Sequence, residues 1–123
     1  MGMTTFTQLG VWQKSHELRL AVFDLADKLP RENGFVIPDQ IRRAAHSIPS
    51  NIAEGFGRQH FPDKIRFYNI SQGSAEELKD ALILLRDRRH PFDFQAFWDE
   101  LEEVCRMLKG LVRSTEEWAR RSP

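Results

Sequence analysis

The chain has 123 residues, of which 41% are hydrophobic and 29% are charged, and its 18 basic and 18 acidic side chains cancel to a formal net charge of zero. This length and balance are typical of one globular domain, so they exclude a disordered chain and any need for a disulfide or metal staple. A net charge of zero also differs from the strongly positive balance of typical nucleic-acid-binding domains.

The N-terminal segment MGMTTFTQLG has no basic stretch followed by an apolar run, so we expect no signal peptide. Phe6 occupies the position where a myristoylation motif needs Ser or Thr, and no apolar stretch approaches the length of a transmembrane helix. Cys105 is the only cysteine, which excludes an intrachain disulfide and predicts a small buried side chain. Together these features predict a cytoplasmic protein without membrane contact.

Four stretches carry apolar residues at intervals of three and four, and each stretch predicts an amphipathic helix. The predicted helices span approximately residues 12–29, 38–56, 62–89 and 94–118 of a single domain that covers residues 1–123. Their apolar positions are, in chain order, Leu18, Val22, Leu25 and Leu29, then Ile41, Ala45, Ile48 and Ile52, then Tyr68, Ala75, Leu78, Leu82 and Leu85, then Phe97, Leu101, Val104, Leu108 and Leu111.

Prolines and glycines mark where these helices start and stop. Pro30 follows the first helix, Pro38 suits the first turn of the second, and Pro91 lies just beyond the third. Gly55 or Gly57 suits the C-terminal end of the second helix. Short connections favour antiparallel neighbours, and the three-four spacing is that of a bundle seam. The sequence therefore predicts an all-α, antiparallel up-down-up-down four-helix bundle.

The third helix carries apolar residues on more than its bundle face. Ile70, Ala81 and Leu84 lie on one flank and Ile83 lies on the other, whereas a surface helix of a monomer needs only one apolar stripe. We therefore expect a homo-oligomer in which this helix takes part in the subunit contact.

The stretch SIPSNIAEGFGR, residues 47–58, ends the second helix with residues that a helix disfavours there. Pro49 cannot donate to the carbonyl of Ala45, which costs about 3 kcal/mol in a regular helix and predicts a kink. Glu54 lies near the negative end of the helix dipole. At about 100° per residue, one stripe apart from the apolar seam contains Arg43, Ser47, Asn51, Glu54 and Arg58.

The third helix offers small and polar residues as a counterpart, from Gly73 to Glu77. Buried polar groups usually bond to one another, so we expect a network that fixes the register between helices or subunits. Its predicted members are Ser47, Asn51, Glu54, Gly55, Ser74 and Glu77. The alternative is that these residues form a surface for a binding partner.

The segments QIRRAAHSIPSNIAEGFGR, residues 40–58, and GSAEEL, residues 73–78, resemble a bacterial four-helix-bundle family encoded within intervening sequences of 23S ribosomal RNA genes. The similarity extends from about Trp12 to the last helix, and that family also resembles the accessory variability protein of diversity-generating retroelements. Family members commonly have an aliphatic residue and an alanine where this chain has Tyr68 and Ser71, so this part of the third helix is more polar.

The resemblance implies a homopentameric bundle arranged as a barrel. It also implies, through the retroelement protein, binding of nucleic acid and of a reverse transcriptase by basic surface, but it implies no established activity for the family. The family's motif positions are occupied here by Arg42, Arg43, Ser47, Asn51, Glu54, Gly55, Arg58, Ser74 and Glu77.

Basic residues cluster in two places despite the zero net charge, between residues 41 and 66 and between residues 86 and 90. Local positive charge binds phosphates, so we predict contacts to RNA, or to a nucleic-acid-associated protein, from Arg42, Arg43, Arg58, Arg86, Arg88 and Arg89. The alternative is a solvated, charge-balanced surface. We interpret the acidic start and basic end of the fourth helix as complements of the helix dipole.

The sequence predicts no enzymatic activity, no metal and no cofactor, because it has no nucleophile motif, no Glu-x-x-His pair and no phosphate-binding loop. Two alternatives stay open. Glu76, Glu77 and Asp80 could hold Mg²⁺ or Mn²⁺ together with Glu54 in a metal-dependent enzyme. The protein could also be a scaffold that binds only other proteins.

Overall fold

The computed structural model describes residues 2–30 and 36–122. A short 3₁₀ helix, Phe6–Gln8, precedes four α-helices: α1 (Gly10–Lys28), α2 (Val36–Gly57), α3 (Phe61–Asp87) and α4 (Phe94–Arg121). The described ranges contain no strand, so the predicted all-α four-helix fold is confirmed. None of these helices is both long and apolar enough to cross a bilayer.

Contacts between side chains show the direction of each helix. Arg42 near the start of α2 contacts Asp27 near the end of α1, at 2.9 Å, while His46 lies 3.2 Å from Arg19, earlier in α1. Residue numbers therefore rise along one helix as they fall along the other, so α1 and α2 are antiparallel. The same reversal holds for the remaining pairs of neighbouring helices. Between α2 and α3, Ser47 contacts Ser74 and Ile48 contacts Ser71. Between α3 and α4, Lys79 contacts Glu102 and Glu76 contacts Cys105, and between α1 and α4, Lys14 contacts Glu100 and Gly10 lies against Met107.

The core lies between the four helices and is formed by the apolar positions of their seams. Its side chains without any solvent exposure include Val22, Ile41, Ile48, Ile52, Leu78, Leu82, Leu101, Val104 and Leu108. Burying each of these side chains contributes about 1.5–3 kcal/mol to folding. Cys105 is also buried, and this burial raises the pKa of its thiol.

The ends of α1 and α3 have different causes. Leu29 adopts an extended backbone with ψ 145°, as a residue before proline prefers. At the end of α3, Arg89 adopts a left-handed conformation with φ 64°, and its N–H donates to Arg86 while the N–H of His90 donates to Leu85. This pair of hydrogen bonds is a Schellman motif, and it stops α3 two residues before the predicted end at residue 89.

The second helix continues through Pro49, whose side chain is almost completely buried. Proline supplies no N–H to the helix there, but the carbonyl of the preceding residue, Ile48, accepts a hydrogen bond from another helix. The hydroxyl of Ser71 on α3 donates to the carbonyl of Ile48 at 2.8 Å. Ser71 is fully buried, so this hydrogen bond is part of the contact between α2 and α3.

Candidate functional site

The motif segment of α2, residues 47–58, is joined to α3 by hydrogen bonds between polar side chains. The hydroxyl oxygens of Ser47 and Ser74 lie 2.6 Å apart. The amide nitrogen of Asn51 donates to the hydroxyl of Ser47 at 2.9 Å and to its carbonyl at 2.8 Å. Ser47 and Asn51 are one helical turn apart, so they share a face of α2. Three of the six predicted network residues are thus brought together.

Gly55 lies at a close contact between α2 and α3. A Cβ atom there would lie 2.7 Å from the ring of Tyr68 and 3.1 Å from the carbonyl of Lys64. The ammonium group of Lys64 donates to the carbonyls of Phe56, at 2.7 Å, and Gly55, at 3.3 Å. The bond to Phe56 satisfies a carbonyl that the end of a helix leaves free, whereas the carbonyl of Gly55 also accepts from the N–H of Arg58 at 3.2 Å. Burial lowers the pKa of Lys64.

Lys64 and Tyr68 were not among the predicted network residues. A lysine in the first turn of the following helix can reach the free carbonyls of the preceding one, and this was the signal available in the sequence. The partner of Gly55 had no such signal, because it depends on the register between α2 and α3.

Glu54 and Glu77 lie outside the chain of serine and amide bonds. Glu54 forms an ion pair with Arg58 at 2.8 Å, one turn along α2. Glu77 instead lines an outer groove of about 480 Å³ between α2 and α3, where Arg43, Asp80 and Leu84 also lie. The groove has both charged and apolar walls, and one edge reaches Ser47.

Three of the six predicted RNA-contacting arginines are engaged within the chain. Arg42 pairs with Asp27 at 2.9 Å and Asp39 at 3.4 Å. Arg58, besides its pair with Glu54, places its guanidinium carbon 4.6 Å from the centroid of the Phe67 ring, and its Nε is buried without a hydrogen-bond partner. Arg86 pairs with Asp87 at 2.9 Å and lies over the ring of Phe94. Such contacts reduce the charge available to a ligand.

The other three, Arg43, Arg88 and Arg89, are exposed and form no ion pair with any carboxylate of the described residues. Because α2 and α3 are antiparallel, the start of α2 and the end of α3 lie at the same end of the bundle. Five of the six arginines are therefore at that end. Arg58 lies about 22 Å away along α2, at a rise of about 1.5 Å per residue.

The four carboxylates of the metal-dependent alternative are not gathered in one place. Glu76 faces Lys79 and the Cys105 thiol on the α4 side, Glu77 and Asp80 line the groove on the α2 side, and Glu54 pairs with Arg58. Within the described residues, no group of three or more His, Cys, Asp or Glu side chains is arranged to hold a metal ion.

Comparisons with known proteins agree with this fold. The chain is similar to a protein from Bacteroides thetaiotaomicron VPI-5482 whose crystal structure is described as that of a protein with unknown function from the S23 ribosomal protein family. The two sequences are 28% identical, the match covers 83% of this chain and 97% of that one, and the TM-score is 0.77. No curated protein matches the chain. The sequence model of the 23S rRNA-intervening sequence proteins matches residues 7–110. The chain therefore belongs to the 23S rRNA-intervening sequence protein family.

Proposed function

We propose that the protein is a non-enzymatic, homo-oligomeric helical bundle that binds RNA, directly or within a ribonucleoprotein or polymerase complex, through basic surface. The observation that carries this proposal is a set of exposed arginines without carboxylate partners among the described residues, present at both ends of the bundle: Arg43, Arg88, Arg89, Arg113, Arg120 and Arg121. A guanidinium group binds phosphate oxygens in a bidentate manner. The presence of a single cysteine supports a cytoplasmic location.

The family name directs the choice of RNA. Its members are described as 23S rRNA-intervening sequence proteins, so a structured fragment of ribosomal RNA is the first ligand to test. A partner that is only protein is the competing possibility, and the absence of RNA binding would favour it.

The arrangement of the polar motif supports a structural role for it rather than a catalytic one. The hydroxyls of Ser47 and Ser74 contact each other, and the nearby amide of Asn51 also contacts Ser47. A serine nucleophile needs an adjacent general base, and neither hydroxyl has a histidine or carboxylate as its hydrogen-bond partner among the described contacts.

Oligomer formation is supported by the outer face of α3. At about 100° per residue, Ile70, Gly73, Glu77 and Leu84 fall within about 60° of one another. Ile70 is 39% exposed and Leu84 is 43% exposed, and a Cβ atom on Gly73 would meet nothing within 4 Å. Apart from the carboxylate of Glu77, this exposed stripe consists of small and apolar residues, which suit close packing against a second copy, and the family resemblance implies five copies. A monomeric mass in light scattering at micromolar concentration would contradict this part of the proposal.

The test of RNA binding is a titration of the purified protein with a structured 23S rRNA fragment over a series of salt concentrations. We expect the logarithm of affinity to fall linearly with the logarithm of salt, with about one neutralised phosphate for each unit of slope. Arg43→Ala should weaken binding, whereas Gln40→Ala, in the same groove, should not. If the wild-type protein binds no RNA even at low salt, the proposal is wrong.

A further inference from the structure

The bundle separates its charges along its axis, although the whole chain is neutral. One end, here called the turn end, contains the start of α1, the turn between α2 and α3, and the second half of α4, which correspond to residues 2–10, 54–67 and 108–122. These segments carry seven basic and four acidic side chains. The rest of the described chain, at residues 11–30, 36–53 and 68–107, carries ten basic and thirteen acidic side chains. Long-range attraction of a polyanion therefore favours the turn end.

This charge balance distinguishes arginines whose immediate contacts are similar. Arg88 and Arg89 are exposed and without an ion pair among the described residues, but they belong to the acidic part of the bundle. Arg113, Arg120 and Arg121 of α4 are equally exposed and equally without a described ion pair, but they belong to the basic turn end. A phosphate at the turn end would therefore meet less repulsion.

The turn end also presents an exposed indole. Trp118 is 57% exposed, more than any other large apolar side chain of the described residues. It precedes Arg121 by three positions on α4, so the two side chains are neighbours on the helix surface. Arg113 and Arg120 lie about 140–160° around α4 from the indole, at about 100° per residue, so Arg121 is the arginine beside it. An aromatic ring beside a phosphate-binding arginine suits the stacking of an unpaired base, and such a stack contributes about 1–3 kcal/mol per base.

We infer that the turn end is the principal RNA surface, where Arg113, Arg120 and Arg121 contact phosphates and Trp118 stacks on an unpaired base. This inference rests on the proposed RNA binding, and it assigns the main contact to the opposite end of the bundle from five of the six predicted arginines. The expected ligand is RNA with a helical stem and exposed unpaired nucleotides, because single strands offer base faces that a continuous duplex hides.

The first test compares two matched pairs of adjacent arginines. Arg120→Glu with Arg121→Glu and Arg88→Glu with Arg89→Glu change the net charge equally, at opposite ends of the bundle. With a hairpin of 23S rRNA sequence that has an unpaired loop, we expect the α4 pair to lower affinity at least about tenfold and to reduce the salt slope by about two. The α3 pair should lower affinity less than about threefold. Equal losses, or a larger loss from the α3 pair, would overturn the inference.

The second test concerns the indole. Trp118→Ala should lower affinity for the hairpin about tenfold and leave affinity for a fully paired duplex of the same composition unchanged, since the duplex has no free base to stack. Leu20→Ala is the control, because Leu20 is 55% exposed on α1. An equal loss on both RNAs, or a change in oligomeric mass caused by Trp118→Ala, would show that the indole has another role.

These tests separate the two proposals. If the wild-type protein binds neither hairpin nor duplex, RNA binding itself is wrong and the inference fails with it. If the wild-type protein binds and the α3 arginine pair controls affinity, the proposed function stands and only the location at the turn end is wrong.

Discussion

The ring of Tyr68 occupies the space that a side chain at Gly55 would need, with its Cε1 atom 2.7 Å from the position of a Cβ atom. The carbonyl of Lys64 lies 3.1 Å from the same position. Gly55 does not adopt a left-handed backbone, so the requirement for glycine comes from the contact between α2 and α3. The end of the motif segment is thus shaped to receive a large aromatic ring from α3.

We expect Gly55→Ala to destabilise the protein by about 1–3 kcal/mol, because the added methyl group must displace a ring and a backbone carbonyl. Gly57→Ala is the control, since a Cβ atom on Gly57 would meet nothing within 4 Å. That change should leave stability unaltered or raise it by up to about 1 kcal/mol. Urea unfolding of both variants gives the comparison, and a Gly55→Ala protein as stable as the wild type would show that the contact is loose.

Burial of Tyr68 should make stability depend on pH in the alkaline range. Desolvation raises the pKa of its hydroxyl to about 12 from an ordinary value of 10.0. Below pH 10 the side chain is neutral in both states, so it has no effect. Between pH 10 and 12 it ionises only in the unfolded state, and the free energy of unfolding should fall by about 2–3 kcal/mol in total. Tyr68→Phe should remove this loss.

The same residue allows a direct spectroscopic check, because it is the only tyrosine in the chain. Tyrosinate absorbance in the native protein should appear near pH 12 and not near pH 10. If the absorbance rises near pH 10 while the protein is still folded, the ring is more hydrated than this structure indicates.

The fold could be predicted from the sequence because apolar spacing reflects the period of a helix, which is a local property. Helix starts were predicted within two residues, since proline and glycine act on their immediate neighbours. The end of α3 was predicted two residues too late, because the left-handed position after a helix usually carries glycine and Arg89 gives no such signal.

The site was less predictable because its contacts cross between helices. The bond between Ser47 and Asn51 follows from their spacing on α2, whereas the contact with Ser74 depends on how α2 and α3 are aligned. The ion pair between Asp27 and Arg42 likewise depends on how α1 and α2 are aligned. The basic residues at the end of α4 have a local explanation in the dipole of that helix. Their position beside the turn between α2 and α3 depends on how the helices pack, which the sequence does not show.

The contact between the hydroxyls of Ser47 and Ser74 should be measurable as a coupling energy. Ser74→Ala should cost about 1 kcal/mol, and Ser47→Ala should cost more because it also removes an acceptor from Asn51. In a double-mutant cycle, the two substitutions together should cost less than the sum of the single ones, by about 0.5–1 kcal/mol. Additive costs would indicate that water replaces the contact in solution.

Gly73 provides a test of subunit packing that does not depend on RNA. It lies inside α3 with open space around the Cβ position, so Gly73→Ala should stabilise an isolated chain by about 0.5–1 kcal/mol through its backbone. If a second copy packs against this stripe, the added methyl group should instead weaken assembly. We expect a lower oligomeric mass at low protein concentration in light scattering. Unchanged assembly with raised stability would place the subunit contact elsewhere.

Arg89 adopts a left-handed backbone, φ 64°, at the end of α3, a conformation that costs a residue with a Cβ atom about 1–2 kcal/mol. Arg89→Gly should therefore stabilise the protein by about 1 kcal/mol, because glycine meets no such penalty in a Schellman motif. Arg89→Ala is the matched control, since it removes the same charge but keeps the Cβ atom, and it should bring no comparable gain. Urea unfolding midpoints measure the difference. Equal midpoints for the two variants would mean that the arginine, and not its backbone conformation, determines stability at this end of the bundle.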